Sequence, residues 1–163
     1  MITDIAALLR ALGSHGVRHV LVGGAAAVAH GSARLTQDVD VVYARDPDNV
    51  AALVAALAPA HPYLRGAPPG LPFHWDERTV RSGLNFTLRT DLGAIDLLGE
   101  IVGGGRYEDL EPRSFEIEAF GVRCRILDLD KLIEVKRAAG RPKDLEAIAE
   151  LEAIRDRTRG GGR

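Results

Sequence analysis

Residues 38–43 read Asp-Val-Asp-Val-Val-Tyr, an alternating, β-branched run of the kind that forms strands. Successive side chains on a strand point to opposite faces, so Asp38 and Asp40 share one face while Val39 and Val41 share the other. Two carboxylates side by side repel unless positive charge lies between them, and a divalent cation is the usual solution. Magnesium suits such a pair, because it takes hard oxygen ligands, keeps several waters and is often shared between carboxylates and substrate phosphates. A third acid, Asp96, stands in Ala-Ile-Asp-Leu-Leu, where its neighbours Ile95 and Leu97 are apolar and fall on the opposite face. A lone acid emerging from a hydrophobic strand is rarely without purpose. Gly23 and Gly24 follow a strand-like run and open a string of alanines. Free N–H groups and the helix dipole at such a turn attract phosphate, and glycine allows close approach.

The elements that must carry these residues are legible in the pattern. Ile5, Leu8, Leu9 and Leu12 recur at helical spacing behind Thr3, an expected N-cap, and Gly13 or Gly16 ends the helix. Arg18 to Val22 predicts a strand, and Ala25 to His30 a short helix. Asp46 and Pro47 begin a helix whose stripe is Val50, Leu53, Val54 and Leu57. From Ala58 to Gly83 the pattern breaks into a long loop with Pro62, Pro68, Pro69, Pro72 and the only tryptophan. Leu84 to Arg89 and Ala94 to Leu98 predict strands across an Asp91 to Gly93 turn, and Phe115 to Phe120 and Val122 to Leu127 a hairpin around Gly121. Two helices, Leu129 to Ala139 and Pro142 to Arg157, close the chain, with residues 158–163 expected to be a disordered tail.

The order of strand, Gly23-Gly24, short helix, Asp38-Val39-Asp40 and a later single Asp96 resembles the DNA polymerase β type nucleotidyltransferase superfamily. Within it, the chain is most similar to the AbiEii toxin and related minimal bacterial nucleotidyltransferases. The likeness rests on Arg34-x-Thr36-x-Asp38-x-Asp40 and on the Lys136, Lys143 and Asp144 of KRAAGRPKDLEAIAEL, and it spans roughly Val20 to Leu151. The resemblance implies a single α/β domain over residues 1–157, with a mixed sheet flanked by helices. It also implies magnesium-dependent transfer of an NMP from an NTP to a hydroxyl, with manganese as a substitute ion. Asp38, Asp40 and Asp96 would be the catalytic metal ligands, Gly23 and Gly24 would cradle the triphosphate, and Arg34 and Lys136 would neutralise its charge. The 3′ end of an RNA such as tRNA is the first acceptor implied, and a toxin paired with a cognate antitoxin is the context. Transfer to a protein or to a small molecule such as an aminoglycoside is the second reading, and a non-catalytic nucleotide-binding regulatory module the third. Ala25 stands where many members place serine, and Ala147 where an acid is common. Both departures bear on the substrate more than on the metal site.

Other residues carry blander readings. Asp128 and Asp130 form a second D-x-D but precede a helical stripe, as an N-cap and a first-turn acid do. Lys136 and Lys143 read either as phosphate partners or as solvated helix charges, and Asp144 as a first-turn acid. Phe73, His74 and Trp75, among Arg65, Arg78 and Arg81, read first as a tryptophan pinning its loop to the core and second as a base-stacking patch. None of the five histidines has paired metal spacing, and His30 reads as a helix end. The single Cys124 excludes an internal disulfide or a cysteine-based metal site. The sequence has 163 residues with 21 basic and 23 acidic groups, a net charge of −2. One domain without a global positive field follows, so a nucleic-acid coat protein is not expected, although Arg34, Arg65, Arg78, Arg81 and Lys136 offer local positive charge. No apolar run reaches the roughly 20 residues of a membrane span and the first residues lack a basic segment, so a cytoplasmic protein that does not contact membrane is expected.

Overall fold

Seven strands form one mixed sheet in the computed structural model, which describes residues 2–161. The strands are β1 (His19–Val22), β2 (Asp38–Tyr43), β3 (Tyr63–Leu64), β4 (Phe86–Thr90), β5 (Gly93–Leu98), β6 (Ser114–Ala119) and β7 (Val122–Leu127), in the order β3-β4-β5-β2-β1-β7-β6. The helices are α1 (Ile5–Ser14), α2 (Gly23–Ala29), α3 (Pro47–Leu57), α4 (Glu77–Ser82), α5 (Tyr107–Leu110), α6 (Leu129–Ala139) and α7 (Pro142–Gly161). This is a single α/β domain. No helix among the described residues is long and apolar enough to cross a membrane.

The central strands are the most apolar. Val20, Leu21, Val39, Val41, Val42, Ile95 and Leu97 are sealed from solvent, with helices supplying Leu8, Leu9, Leu12, Leu53 and Leu57. β1 runs antiparallel to β2 and parallel to β7, while β2 runs parallel to β5. α2 packs on β1, β2 and β7 and is covered by α6, which pairs with α7. The β2–β5 register decides the site. Asp40 lies opposite Asp96 and Asp38 opposite Ala94, so the alternation of each strand sends all three acids to one face while Val39, Val41, Ile95 and Leu97 enter the core.

Several boundaries depart from expectation for identifiable reasons. Asp4, not Thr3, caps α1 by accepting from Ala7 N, because Thr3 Oγ1 instead donates to the Gln37 carbonyl and accepts from Ala94 N. The expected 58–83 loop contains β3, which pairs with β4, and α4, capped by Asp76. Trp75 Nε1 donates to the Val54 carbonyl at 3.0 Å, tying this segment to α3 as the first reading expected. α7 continues to Gly161 instead of ending at Arg157, and Arg155 and Arg159 both pair with Asp130 of α6. Residues 158–161 of the expected disordered tail are therefore helical, and residues 162–163 lie outside the described residues.

Candidate functional site

Asp38, Asp40 and Asp96 meet near the edge of a cleft between the β1–α2 junction, the 32–38 segment and α7. The cleft is about 290 Å³ and also includes Gly23, Gly24, Arg34, Thr36, Lys136, Arg141, Lys143 and Glu150 in its walls, together with Asp38 and Asp40. Every residue expected at the site thus lies at this cleft except Asp96, which adjoins it through Asp40 across the β2–β5 pair. Arg65, Arg78 and Arg81, expected to add positive charge, do not line it.

Asp40 is strongly perturbed. Burial first, then the charge and hydrogen bond of Asp96 and the charge of Asp38, push its carboxyl up to about 7, against a smaller opposing pull from Arg65. Its Oδ1 is sealed from solvent without a hydrogen-bond partner. Gly23 explains how the carboxylate reaches this position. Gly23 has φ of 65°, and a Cβ there would collide with the Asp40 carboxylate. Only glycine gives both the left-handed backbone and the bare surface. At Gly24 a Cβ would come within 2.7 Å of Thr36 Oγ1, and that hydroxyl donates to the Asp38 carbonyl. The open sides of the glycine pair are thus filled by this chain's own Asp40 and Thr36, which lock the D-x-D strand against the start of α2. Ala25 is wholly buried and supplies no hydroxyl to the cleft.

The positive side of the cleft comes from four residues with different partners. Arg141 holds the buried Asp144 through Nε at 2.6 Å, and that hydrogen bond keeps the Asp144 carboxyl below its usual range. This pair caps the first turn of α7, the structural role expected of Asp144. Arg34 is exposed and faces Glu150 at 3.8 Å. Lys136 and Lys143 have no ion pair among the described residues, so their ammonium groups are available to an anion in the cleft. Burial pulls Lys136 below its usual range, while Asp144 and Asp40 oppose that shift.

Two residues take roles that the sequence did not assign to them. Glu150, one turn beyond Ala147, accepts from Ser32 Oγ at 2.5 Å and Ala33 N at 3.1 Å and anchors the segment bearing Arg34. Arg65 follows β3, donates its backbone N–H to the Thr87 carbonyl, and extends its guanidinium onto Asp96 and Asp38, the latter at 3.4 Å. A basic residue among prolines and glycines reads as loop charge, and only the pairing of β3, β4 and β5 brings it here. The second D-x-D is structural: Asp128 caps α6 by accepting from Lys131 N. His30 closes α2 and reaches the Leu127 carbonyl at 2.7 Å.

The donor chemistry fits magnesium. Three carboxylates supply only hard oxygens, and the sealed Asp40 Oδ1 is an acceptor that a cation would satisfy. As they stand, no three His, Cys, Asp or Glu side chains among the described residues are arranged around one cation position, and Arg65 holds two of the three acids. A second, more apolar cleft of about 310 Å³ lies on the other side of Asp40 and Lys136, walled by Val22, Leu98, Ile101, Leu132 and Val135, with Asn85 and Glu100 as polar groups. No protein-family model matches the chain, and no curated protein matches it.

Proposed function

We propose that this chain is a nucleotidyltransferase with a minimal polymerase-β-type fold, moving an NMP from an NTP to a hydroxyl acceptor with release of pyrophosphate. The observation that carries the reading is the convergence of Asp38, Asp40 and Asp96 on one face of two adjacent strands, beside a glycine pair and two lysines without an ion pair among the described residues. Such a juxtaposition of like charge destabilises a fold and is retained for chemistry. Asp38, Asp40 and Asp96 would hold magnesium, which would supply Lewis acidity for an in-line displacement at the α-phosphate. Lys136, Lys143 and Arg34 bind the polyphosphate in the 290 Å³ cleft, Arg34 as a fork and the lysines as point charges, along the backbone of Gly23 and Gly24. The second cleft, with its apolar walls, suits a flat ring. An RNA 3′ end such as that of tRNA is the first acceptor, and a toxin held by an antitoxin is the cellular setting.

A second reading, a module that binds nucleotide without turning it over, is favoured by Arg65, which already balances the charge of two carboxylates. Incubating the purified chain with magnesium, each α-labelled NTP and total RNA separates the two. Label on a tRNA band supports the proposal, and label on protein or on an added aminoglycoside changes the acceptor. Nucleotide binding without transfer to any acceptor selects the module.

A further inference from the structure

We infer that Arg65 is a built-in counter-cation that competes with the divalent ion for Asp38 and Asp96, so that the site guards itself against free metal. The inference rests on the reading of the three acids as a cation site. Arg65 is placed by the sheet and not by chance of a loose loop. Its N–H continues the β3–β4 ladder onto Thr87, Thr87 lies opposite Asp96, and Asp96 lies opposite Asp40, so the four residues form one row across three strand junctions. From that row the guanidinium bridges two carboxylates, which a planar fork does better than a point charge.

The arrangement is also incompletely satisfied. Arg65 Nε is buried without an acceptor and Asp40 Oδ1 is buried without a donor, in the same cluster. Native interiors seldom leave such groups unpaired, and each one costs free energy that a new partner recovers. A cation among the carboxylates answers the Asp40 oxygen, and withdrawal of Arg65 returns its Nε to water. Asp38 and Asp96 thus need not stand uncompensated before the ion arrives, and a divalent ion alone must displace an ion pair that is already made.

Binding of Mn2+ alone, followed by calorimetry at pH 8 on the full chain and on Arg65→Ala and Arg65→Lys, tests the inference. Removing a competing charge at contact distance should tighten Mn2+ binding in R65A on the order of tenfold or more. R65K should fall between R65A and the unaltered chain. Thermal unfolding gives an independent readout: Mn2+ should raise the melting temperature of R65A more than that of the unaltered chain. Equal or weaker Mn2+ binding by R65A overturns the inference while leaving the cation site standing if the unaltered chain binds the ion. Absence of Mn2+ binding to all three proteins overturns the inference and the cation-site reading together.

Discussion

Asp40 is destabilised in the folded chain from three directions, by burial, by Asp96 opposite it and by Asp38 on the same strand face. Its folded carboxyl titrates at about 7 against a usual 3.8. Between those values the folded state holds a proton that the unfolded chain has lost, so stability declines as pH rises through that window. The penalty is absent below about 3.8, complete above about 7, and worth at most about 4 kcal/mol. Asp40→Asn should therefore raise the melting temperature at pH 8, by an amount that fades on acidification to pH 4, while abolishing nucleotidyl transfer. Equal melting temperatures at pH 8 would show that Asp40 is not strained. Gly23 makes the paired prediction. Gly23→Ala meets both a positive φ and the Asp40 carboxylate, and should lose roughly 1–3 kcal/mol in urea unfolding. Adding Asp40→Ala removes the carboxylate but leaves the Cβ of residue 40 at 3.0 Å and the backbone strain, so the double variant should lose less than the sum of the two single changes.

Glu150 ties α7 to the segment carrying Ser32 and Arg34 through two hydrogen bonds and the approach of Arg34. Glu150→Ala should accelerate amide exchange over residues 31–37 and weaken NTP binding, with exchange in β1 and β2 unchanged. Unaltered exchange in 31–37 would mean the segment is held by other contacts. The strands and caps around the three aspartates were legible because their signals are local. β2 occupies the expected residues, Asp46 caps α3 and Asp128 caps α6. β3 and α4 were hidden because a two-residue strand among prolines has no period, and exists only by pairing with β4. Arg65 was legible as local positive charge but not as the partner of Asp38 and Asp96, since that position depends on strand partners far along the chain. The length of α7 was misjudged at its glycine-rich end because its arginines make ion pairs with Asp130 that composition does not reveal. The glycine pair was recognised as a close-approach site, yet what approaches it in the structure is the chain's own Asp40 and Thr36.

For the whole molecule, the sheet order sets β2 between β1 and β5, so one central strand joins the glycine turn to the third acid. The near-neutral net charge of −2 conceals a site of separated signs, with carboxylates on the β2–β5 face and Lys136 and Lys143 across the cleft. That polarity suits a metal–polyphosphate ligand whose own charges are arranged in the opposite sense. Arg65 supplies the balancing charge on the acidic side. The central claim is that the three aspartates form one reaction centre, and the measurement that bears on it most directly is transfer of α-labelled NMP, in magnesium at pH 8, by the unaltered chain and by Asp96→Asn. Transfer by the unaltered chain with a loss on the order of a hundredfold or more in D96N is the result expected, and transfer that survives the substitution unchanged would contradict it.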